Sequence, residues 1–502
     1  MSKDLHIYNS LTRQKEQFEP LTQGHIGMYV CGPTVYSDVH LGNCRTFVSF
    51  DVIYRYLKYS GYKVRYVRNI TDVGHLEGDA DRDAEDKMAK QARLEQLEPM
   101  EVAQKYSNGF HDMMRTFNTL SPSIEPRATG HIPEQIQMVQ DIIDNGYGYI
   151  KNGSVYFDTI KFAKENEVYG QLSGRKIDDL LTETRELKKQ SEKNHPSDFA
   201  IWIKADETHL MRWDSPWSVG FPGWHLECSA MSTKYLGKHF DIHGGGNDLK
   251  FPHHENEVAQ NFGSCNCAPA KYWLHTNMLL MNGRKMSKSD GNTITPQQLF
   301  TGDSPHVTKG YSPMVIRFFM LQAHYRSTLD IQDEALQASE KGYRKLMETN
   351  ALLQGMSHEG DPKTDGELID TIHGLLAQMD ESMNDDFNTA KAIARMMELS
   401  SIVYKFHNKQ LSLDDISANT LALLQAKYNT YIYDIFGLKN ELEDQGGSSE
   451  VLDGLMDLII DIRKSSRANK DWGTADKIRD SLKGLNVQLK DGKEGTTWSV
   501  ER

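Results

Sequence analysis

Cysteine is scarce in this chain, with five residues in 502, at positions 31, 44, 228, 265 and 267. So sparse and odd a set excludes the disulfide framework of a small secreted domain and leaves free thiols or metal ligands. Long apolar runs are missing too. No stretch approaches the roughly 18–20 apolar residues that span a bilayer, which excludes a helical membrane segment. The start, Met1-Ser2-Lys3-Asp4 before a strand-like Leu5-His6-Ile7-Tyr8, has no apolar signal core and no Arg-rich presequence. A cytoplasmic location and no membrane partner are therefore expected. There is no internal repeat and no excess of positive charge. A net charge of −13 argues against a generic nucleic-acid coat protein. Local basic patches remain open, because phosphate contacts depend on where Lys and Arg sit.

What is present is an ordinary folding composition, 38% hydrophobic and 25% charged. A chain of 502 residues exceeds one hydrophobic core, so about three domains of roughly 100–200 residues are expected. The first informative unit runs from Gly27 to Thr71. Met28-Tyr29-Val30-Cys31 reads as a short buried strand, broken by Gly32-Pro33-Thr34. From Gly42 to Tyr59 the period becomes helical, with Phe47, Phe50, Ile53, Tyr54 and Leu57 at three- and four-residue steps. Gly61 stops that helix, and Val64, Tyr66, Val67 and Ile70 read as a second strand. Strand, helix, strand is a βαβ unit, which implies a parallel sheet with a right-handed crossover. Ligands in such sheets bind beyond the carboxyl ends of the strands, where Cys31 to Asn43 would lie.

Residues 183–198 are very polar and read as surface. From Glu334 to Leu442 the sequence is helical with few breakers, which suggests a bundle. Glu443 to Glu450, centred on Gly446-Gly447-Ser448-Ser449, reads as a flexible linker before a small C-terminal unit. The expected boundaries are 1–335 for an α/β domain with an insertion at about 120–212, 336–442 for the bundle, 443–450 for the linker and 451–502 for the last domain.

Three loops suit a nucleotide. His40-Leu41-Gly42-Asn43 opens the first helix, whose free N–H groups and dipole favour an anion. Lys285-Met286-Ser287-Lys288-Ser289 lies in a polar loop, and its two lysines could hold a triphosphate and the charge of departing pyrophosphate. Read alone, such a loop is by far most often a solvated basic turn. Asp241-Ile242-His243-Gly244-Gly245-Gly246-Asn247-Asp248 runs from a strand end into glycines that permit close approach and a carboxylate that could accept from ribose.

A metal site is also open. Cys31, Cys228, and the pair His253 and Glu257, four apart on one helical face, offer two thiolates, an imidazole and a carboxylate. None of the short-spacing zinc patterns is present, and buried free cysteine is common, so the residues alone leave both readings standing. Asp79-Ala80-Asp81-Arg82-Asp83 is rejected as a calcium loop, with Ala84 where Gly is needed and Lys90 where Glu is needed. Cys265 and Cys267 are expected to be ordinary reduced cysteines, and Cys44 to lie in the core.

In this order, the His40–Asn43 and Lys285–Ser289 loops resemble the two signatures of class I aminoacyl-tRNA synthetases. Asn43 stands where the first signature has its second His. Cys-Gly-Pro-Thr-Val-Tyr at 31–36, Pro-Gly-Trp-His-Leu-Glu-Cys-Ser-Ala-Met at 222–231 and Phe-Pro-His-His-Glu-Asn-Glu at 251–257 resemble the blocks of the cysteine-specific family. So do Asp385-Asp386-Phe387-Asn388-Thr389, Ala475-Asp476 with Ile478-Arg479-Asp480, and Gly495-Thr496-Thr497-Trp498. Ser218 and Phe221 around Gly220 depart from the many relatives that carry Gly and Arg there.

The resemblance implies a Rossmann-like parallel-sheet catalytic domain, then a helical bundle and a small anticodon-binding domain. It implies an ATP-dependent ligase that joins L-cysteine to tRNA(Cys) and acts as a monomer. ATP, taken with Mg²⁺, would be bound by His40, Gly42, Asn43, Gly245, Asp248, Lys285 and Lys288, of which His40, Asn43 and the two lysines would be catalytic. One zinc per chain would be held by Cys31, Cys228, His253 and Glu257, and cysteine by Gly32, Thr71, Trp224 and His243. Serine is nearly isosteric with cysteine, and a size sieve alone discriminates only about 10–200-fold. A metal that takes the thiolate would reject serine by ligand softness.

Between Arg463 and Lys493 there are nine Lys or Arg against four acids, and with Trp472 and Trp498 this suits phosphate contact and base stacking. Two other readings are carried. One is the mycothiol-pathway cysteine ligase, which shares the catalytic domain but lacks a full anticodon-binding end. The other is a catalytically silent tRNA-binding relative.

Overall fold

The computed structural model describes residues 4–74, 87–175, 193–207, 209–286, 292–358, 363, 365–484, 487–492 and 495–500. The Asp79–Asp83 stretch, Lys288 and most of the polar stretch 183–198 lie outside these. Two compact units are present, Met1–Lys439 and Asn440–Arg502.

In the first unit a short hairpin, β1 (His6–Asn9) and β2 (Gln14–Gln17), precedes β3 (His25–Val30), α1 (Leu41–Tyr59) and β4 (Lys63–Arg68). β3 and β4 pair in parallel. The expected βαβ unit therefore forms, and α1 buries Phe47, Phe50, Ile53, Tyr54, Leu57 and Cys44. Gly61 sits just past the helix at φ +90°, a conformation that suits glycine. Helices α2 (Lys87–Glu95) and α3 (Pro99–Thr116) follow.

An inserted layer then departs from the sheet. It contains α4 (Ile132–Asp144), β5 (Gly148–Lys151), β6 (Ser154–Phe157), α5 (Thr159–Glu165), β7 (Phe199–Lys204) and β8 (Gly220–Pro222). β5 to β8 make one antiparallel sheet in sequence order. This sheet runs on to Pro222, past the expected end near 212. At the other boundary, residues 123–128 run beside β4, with Arg68 N–H donating to Ile124 and Ile70 N–H to Pro126. Asp198, in the stretch read as surface, is buried and accepts from Tyr149, His195 and Thr159.

The chain returns through α6 (Trp224–Leu236), β9 (Phe240–Gly246), α7 (His253–Cys265) and β10 (Ala270–Thr276). The central sheet has the order β10-β9-β3-β4, all parallel. Strand order reverses between β3 and β9, so the crevice beyond their carboxyl ends is the switch point where such sheets bind ligands. Cys265 and Cys267, expected to be separate reduced cysteines, are joined as a disulfide at the end of α7. Asn266 in the left-handed conformation turns the chain there and brings the two side chains together.

Beyond β10 come β11 (Leu279–Met281), β12 (Arg284–Lys285), α8 (Pro296–Thr301), α9 (Pro313–Leu321) and β13 (Leu329–Ile331). β11 lies between β12 and β13. The bundle is α10 (Asp333–Gln354), α11 (Glu367–Asn384), α12 (Thr389–His407) and α13 (Ala418–Thr430), closed by a π-turn at Tyr431–Ile435. Asp51 of α1 ties these layers, accepting from Arg55 and from buried Arg317 of α9, whose other nitrogens donate to the carbonyls of Phe117 and Phe436.

The second unit holds α14 (Glu441–Ala468), α15 (Trp472–Gly484) and the antiparallel hairpin β14 (Val487–Gly492) and β15 (Gly495–Val500). The segment expected as a linker, 443–450, is helical and lies within α14. Two glycines cost roughly 1 kcal/mol each in a helix. One nucleus serves the whole 28-residue helix, whose later part packs Met456 against Leu482 and Val487. Trp472 is 58% exposed, whereas Trp498 is partly buried and packs against this small core.

Candidate functional site

Three segments converge at the carboxyl edge of the central sheet. Cys31 follows β3, Cys228 is in the second turn of α6, and His253 and Glu257 share one face of α7. Their ligand atoms lie within 4.8 Å of one another, and all four residues are buried. Cys31 Sγ is 3.6 Å from Cys228 Sγ and 3.5 Å from Glu257 Oε1. His253 Nε2 is 3.4 Å from Cys228 Sγ and 3.2 Å from Glu257 Oε1. These four residues were expected together, although they span more than two hundred positions of sequence.

The surrounding groups fix this quartet. Glu257 presents Oε1 to the thiols, while its Oε2 lies 2.8 Å from His243 Nε2. His253 presents Nε2 inward, and its Nδ1 is 2.8 Å from His225 Nδ1. An imidazole held through its second nitrogen has a fixed tautomer and orientation, as metal-ligating histidines do. His254 Nε2 is 3.3 Å from Cys31 Sγ, and its Nδ1 is 2.8 Å from His275 Nε2. His275 Nδ1 reaches Ser10 Oγ at 2.8 Å. Cys31, His243, His254 and Glu257 make a second, overlapping donor set. His225, His254 and His275 escaped the sequence reading. The first two stood inside motifs already singled out, and His275 is one strand-end histidine with no local signal.

The electrostatics suit a cation. Burial pushes the Cys31 thiol well up, and Cys228 and Glu257 push it further. Burial likewise raises Cys228. Burial, and then the neighbouring histidines, holds His254 far below its usual range, and burial and Lys250 hold His275 at about 3. Both imidazoles are therefore neutral near pH 7. Two thiols and a carboxylate gathered out of water are costly without positive charge, and a divalent ion inverts that balance. The donor set is chemically right for zinc.

Around the quartet, Thr71 donates to buried Glu227 Oε2 at 2.8 Å and accepts from Asn69 Nδ2 at 3.0 Å. Gly32 N–H donates to Asn69 Oδ1 at 2.8 Å. A Cβ on Gly32 would lie 1.6 Å from the Asn69 carbonyl oxygen, so only glycine fits. Trp224 opens α6 with 39% of its surface exposed, its ring 4.7 Å from that of His253. It stands at the mouth of the site, not in the core. His243 is fully buried beneath Glu257 and stacks on Trp273.

The loops expected to take a nucleotide open α1 and follow β9, with Lys285 in β12. His40 caps α1, and a reciprocal box forms: Asn43 N–H donates to His40 Nδ1 at 3.3 Å and His40 N–H to Asn43 Oδ1 at 3.4 Å. The Asn43 carboxamide is a sound partner for this role. A Cβ on Gly42 would meet the His40 ring at 2.9 Å, and one on Gly245 would meet His254 at 2.8 Å. The glycine at 245 thus lets the sheet edge pack on the histidine cluster. Asp248 is exposed in the turn Asn247–Lys250. Lys285 is exposed in β12, and Asn292 Nδ2 closes the loop onto its carbonyl at 2.9 Å. Lys288 lies outside the described residues.

Comparison with known proteins agrees with this layout. The family model for the class I (C) tRNA synthetase catalytic domain matches residues 17–341, and a DALR domain matches residues 378–440. A protein of Bacteroides thetaiotaomicron named cysteine--tRNA ligase is 52% identical over 502 residues, covering 100% of both chains. One of Deinococcus radiodurans with that name is 46% identical, over 99% of this chain and 96% of that one. Among solved structures, a Mycobacterium tuberculosis methionyl-tRNA synthetase bound to methionyl-adenylate shares the fold at TM-score 0.57 and 12% identity, covering 82% of this chain and 90% of its own. A putative arginyl synthetase of Campylobacter jejuni does so at TM-score 0.54 and 13% identity, over 84% and 94%. With its parallel sheet, its paired loops and relatives near half identity over their full length, the chain belongs to the cysteine--tRNA ligase family of class I tRNA synthetases.

Proposed function

We propose that the chain activates L-cysteine with ATP, releasing pyrophosphate, and transfers the cysteinyl group to the 3′-terminal ribose of tRNA(Cys). The observation that carries this reading is the buried Cys31, Cys228, His253 and Glu257 quartet. A zinc ion bound there supplies a soft Lewis acid for the substrate thiolate, which a serine hydroxyl does not match. Trp224 covers the mouth, Thr71 and Gly32 shape the wall, and His243 holds Glu257 from below.

The α1 N-terminus, with His40, Gly42 and Asn43, receives the phosphates of ATP, which enters with Mg²⁺ as substrate. Gly245 lets the nucleotide approach the sheet edge, and Asp248 accepts from the ribose. Lys285 and Lys288 neutralise the charge that builds on pyrophosphate as it leaves. The cysteine carboxylate attacks the α-phosphorus in line. The tRNA terminal hydroxyl then attacks the mixed anhydride and AMP leaves. No side chain is assigned as a dedicated base; proximity and charge stabilisation lower both barriers.

The second unit, with its local basic excess, engages the anticodon end. The protein works as a cytoplasmic monomer with one zinc per chain. Among the described residues no helix is long and apolar enough to cross a membrane. The rival amino-sugar ligase and silent-relative readings are disfavoured by full-length relatives that carry the ligase name. The test is charging of unfractionated tRNA with labelled cysteine, serine serving as control. Cysteine-only charging supports the reading. Adenylate formation without charging would move the protein to the amino-sugar ligase.

A further inference from the structure

Arg45 is nearly fully buried, and no carboxylate among the described residues pairs with it. Its guanidinium instead donates to four backbone carbonyls. Nη1 reaches Asn277 at 3.0 Å and Met278 at 2.8 Å, and Nη2 reaches His324 at 3.3 Å and also Ser327. A buried charge settled on carbonyls alone is costly unless the geometry is held, because each carbonyl must point its lone pair inward. The segments so held matter. Asn277 and Met278 lead directly into β11, which pairs with β12 so that Leu280 lies opposite Lys285. Arg45 itself is five positions beyond His40 on α1. One side chain thus clasps the helix that opens with the first signature loop to the strand that sets the second.

The turn His324–Ser327 is also held by Asp386. Asp386 is fully buried, and its carboxylate accepts from Tyr325 Oη at 2.8 Å, from Arg326 Nε at 2.6 Å and from the N–H of Tyr8 at 2.9 Å. His324 Nε2 donates to the Asp386 carbonyl at 2.9 Å. Asp386 and Phe387 are both in the left-handed region, at φ 64° and 54°. Two consecutive non-glycine residues there are strained and persist only where the surroundings impose them. Here they form the elbow between α11 and α12, and the elbow also places the Phe387 ring edge-on to Tyr56 of α1. The Asp385–Thr389 motif otherwise has no task in the chemistry.

We propose that Arg45 and Asp386 are positioning residues for adenylate formation, acting together on one turn to set the spacing of the two ATP loops. This rests on the reading that ATP lies between those loops. Neither residue touches the quartet, so the effect belongs to ATP and not to cysteine. A small shift of a reacting group lowers rate steeply, so losing the fork predicts about a 10–100-fold fall in kcat/KM for ATP.

The experiment is cysteine-dependent ATP–pyrophosphate exchange on the full chain, with Arg45→Lys, Asp386→Asn and the double variant, alongside zinc content and thermal unfolding. The expected result is a fall of about 10–100-fold in kcat/KM for ATP in each single variant, with the cysteine KM and zinc content within about two-fold of the unsubstituted protein. Because both residues act through one turn, the double variant should lose no more than the worse single one. If Asp386→Asn does not fold, Tyr325→Phe removes one hydroxyl from the same carboxylate and is expected to act in the same direction. Unchanged ATP parameters in folded variants, or losses that multiply in the double variant, would overturn the inference while leaving the ATP reading intact. Absence of exchange in the unsubstituted protein would sink the ATP reading itself, and this inference with it.

Discussion

Substituting His243 by Ala tests whether the groups beneath the quartet hold it. His243 Nε2 and Glu257 Oε2 are 2.8 Å apart, and both side chains are wholly buried. Nothing else in the described structure hydrogen-bonds to that oxygen, and water has no ready access to it. Removing the imidazole therefore leaves a carboxylate oxygen unsatisfied in a dry site and frees Glu257 to rotate away from Cys31 and His253. An unpaired buried partner costs about 1–3 kcal/mol, more when it is charged. Loss of such a supporting contact weakens a metal site about 10–100-fold. The assay is zinc transfer to a chelator of known affinity, followed at fixed pH, with cysteine KM from pyrophosphate exchange measured on the same preparation. His243→Ala should give up zinc at a chelator concentration about 10–100-fold lower and show a raised cysteine KM, with the ATP KM unmoved. Zinc affinity and cysteine KM within two-fold of the unsubstituted protein, in a variant that unfolds cooperatively, would refute the reasoning.

Two further changes probe the frame. Gly32→Ala places a Cβ 1.6 Å from the Asn69 carbonyl, so the backbone after β3 must move. Its midpoint in urea should fall by a stability loss of at least about 1–3 kcal/mol, and its zinc content should drop. Arg317→Met removes the charge that Asp51 shares with Arg55 and frees the carbonyls of Phe117 and Phe436. A loss of about 3–5 kcal/mol in equilibrium unfolding is expected, because buried Asp51 keeps Arg55 and the Leu120 N–H but loses one of its two guanidinium partners.

The βαβ unit was legible because its signals are local. The apolar residues of α1 recur at helical spacing, and a glycine in the left-handed region ends the element. The quartet was not legible from spacing. Cys31, Cys228 and the His253–Glu257 pair come from three separate segments, and only the sheet register, with Tyr29 opposite His243, brings them together. Family resemblance, not pattern, named them beforehand. Arg45 carries no local signal, since the carbonyls it meets lie more than two hundred positions away, and His275 pairs with His254 on another element and with Ser10 at the start of the chain. The helical course of residues 443–450 was misread because Gly-Gly-Ser-Ser favours flexible chain locally. A long helix with a packed far end overrides that preference. Trp498, partly buried, also packs against the small core of its unit, a contact that its sequence neighbours do not signal.

The central claim is that the buried quartet selects cysteine through zinc. The most direct measurement is the ratio of kcat/KM for cysteine to that for serine in ATP–pyrophosphate exchange, taken on protein whose zinc content is known. The account predicts one zinc per chain and a ratio far above the ~10–200-fold of a size sieve, on the order of 10⁴ or more. A ratio within the range of a size sieve, or full cysteine activity in protein free of zinc, would contradict it.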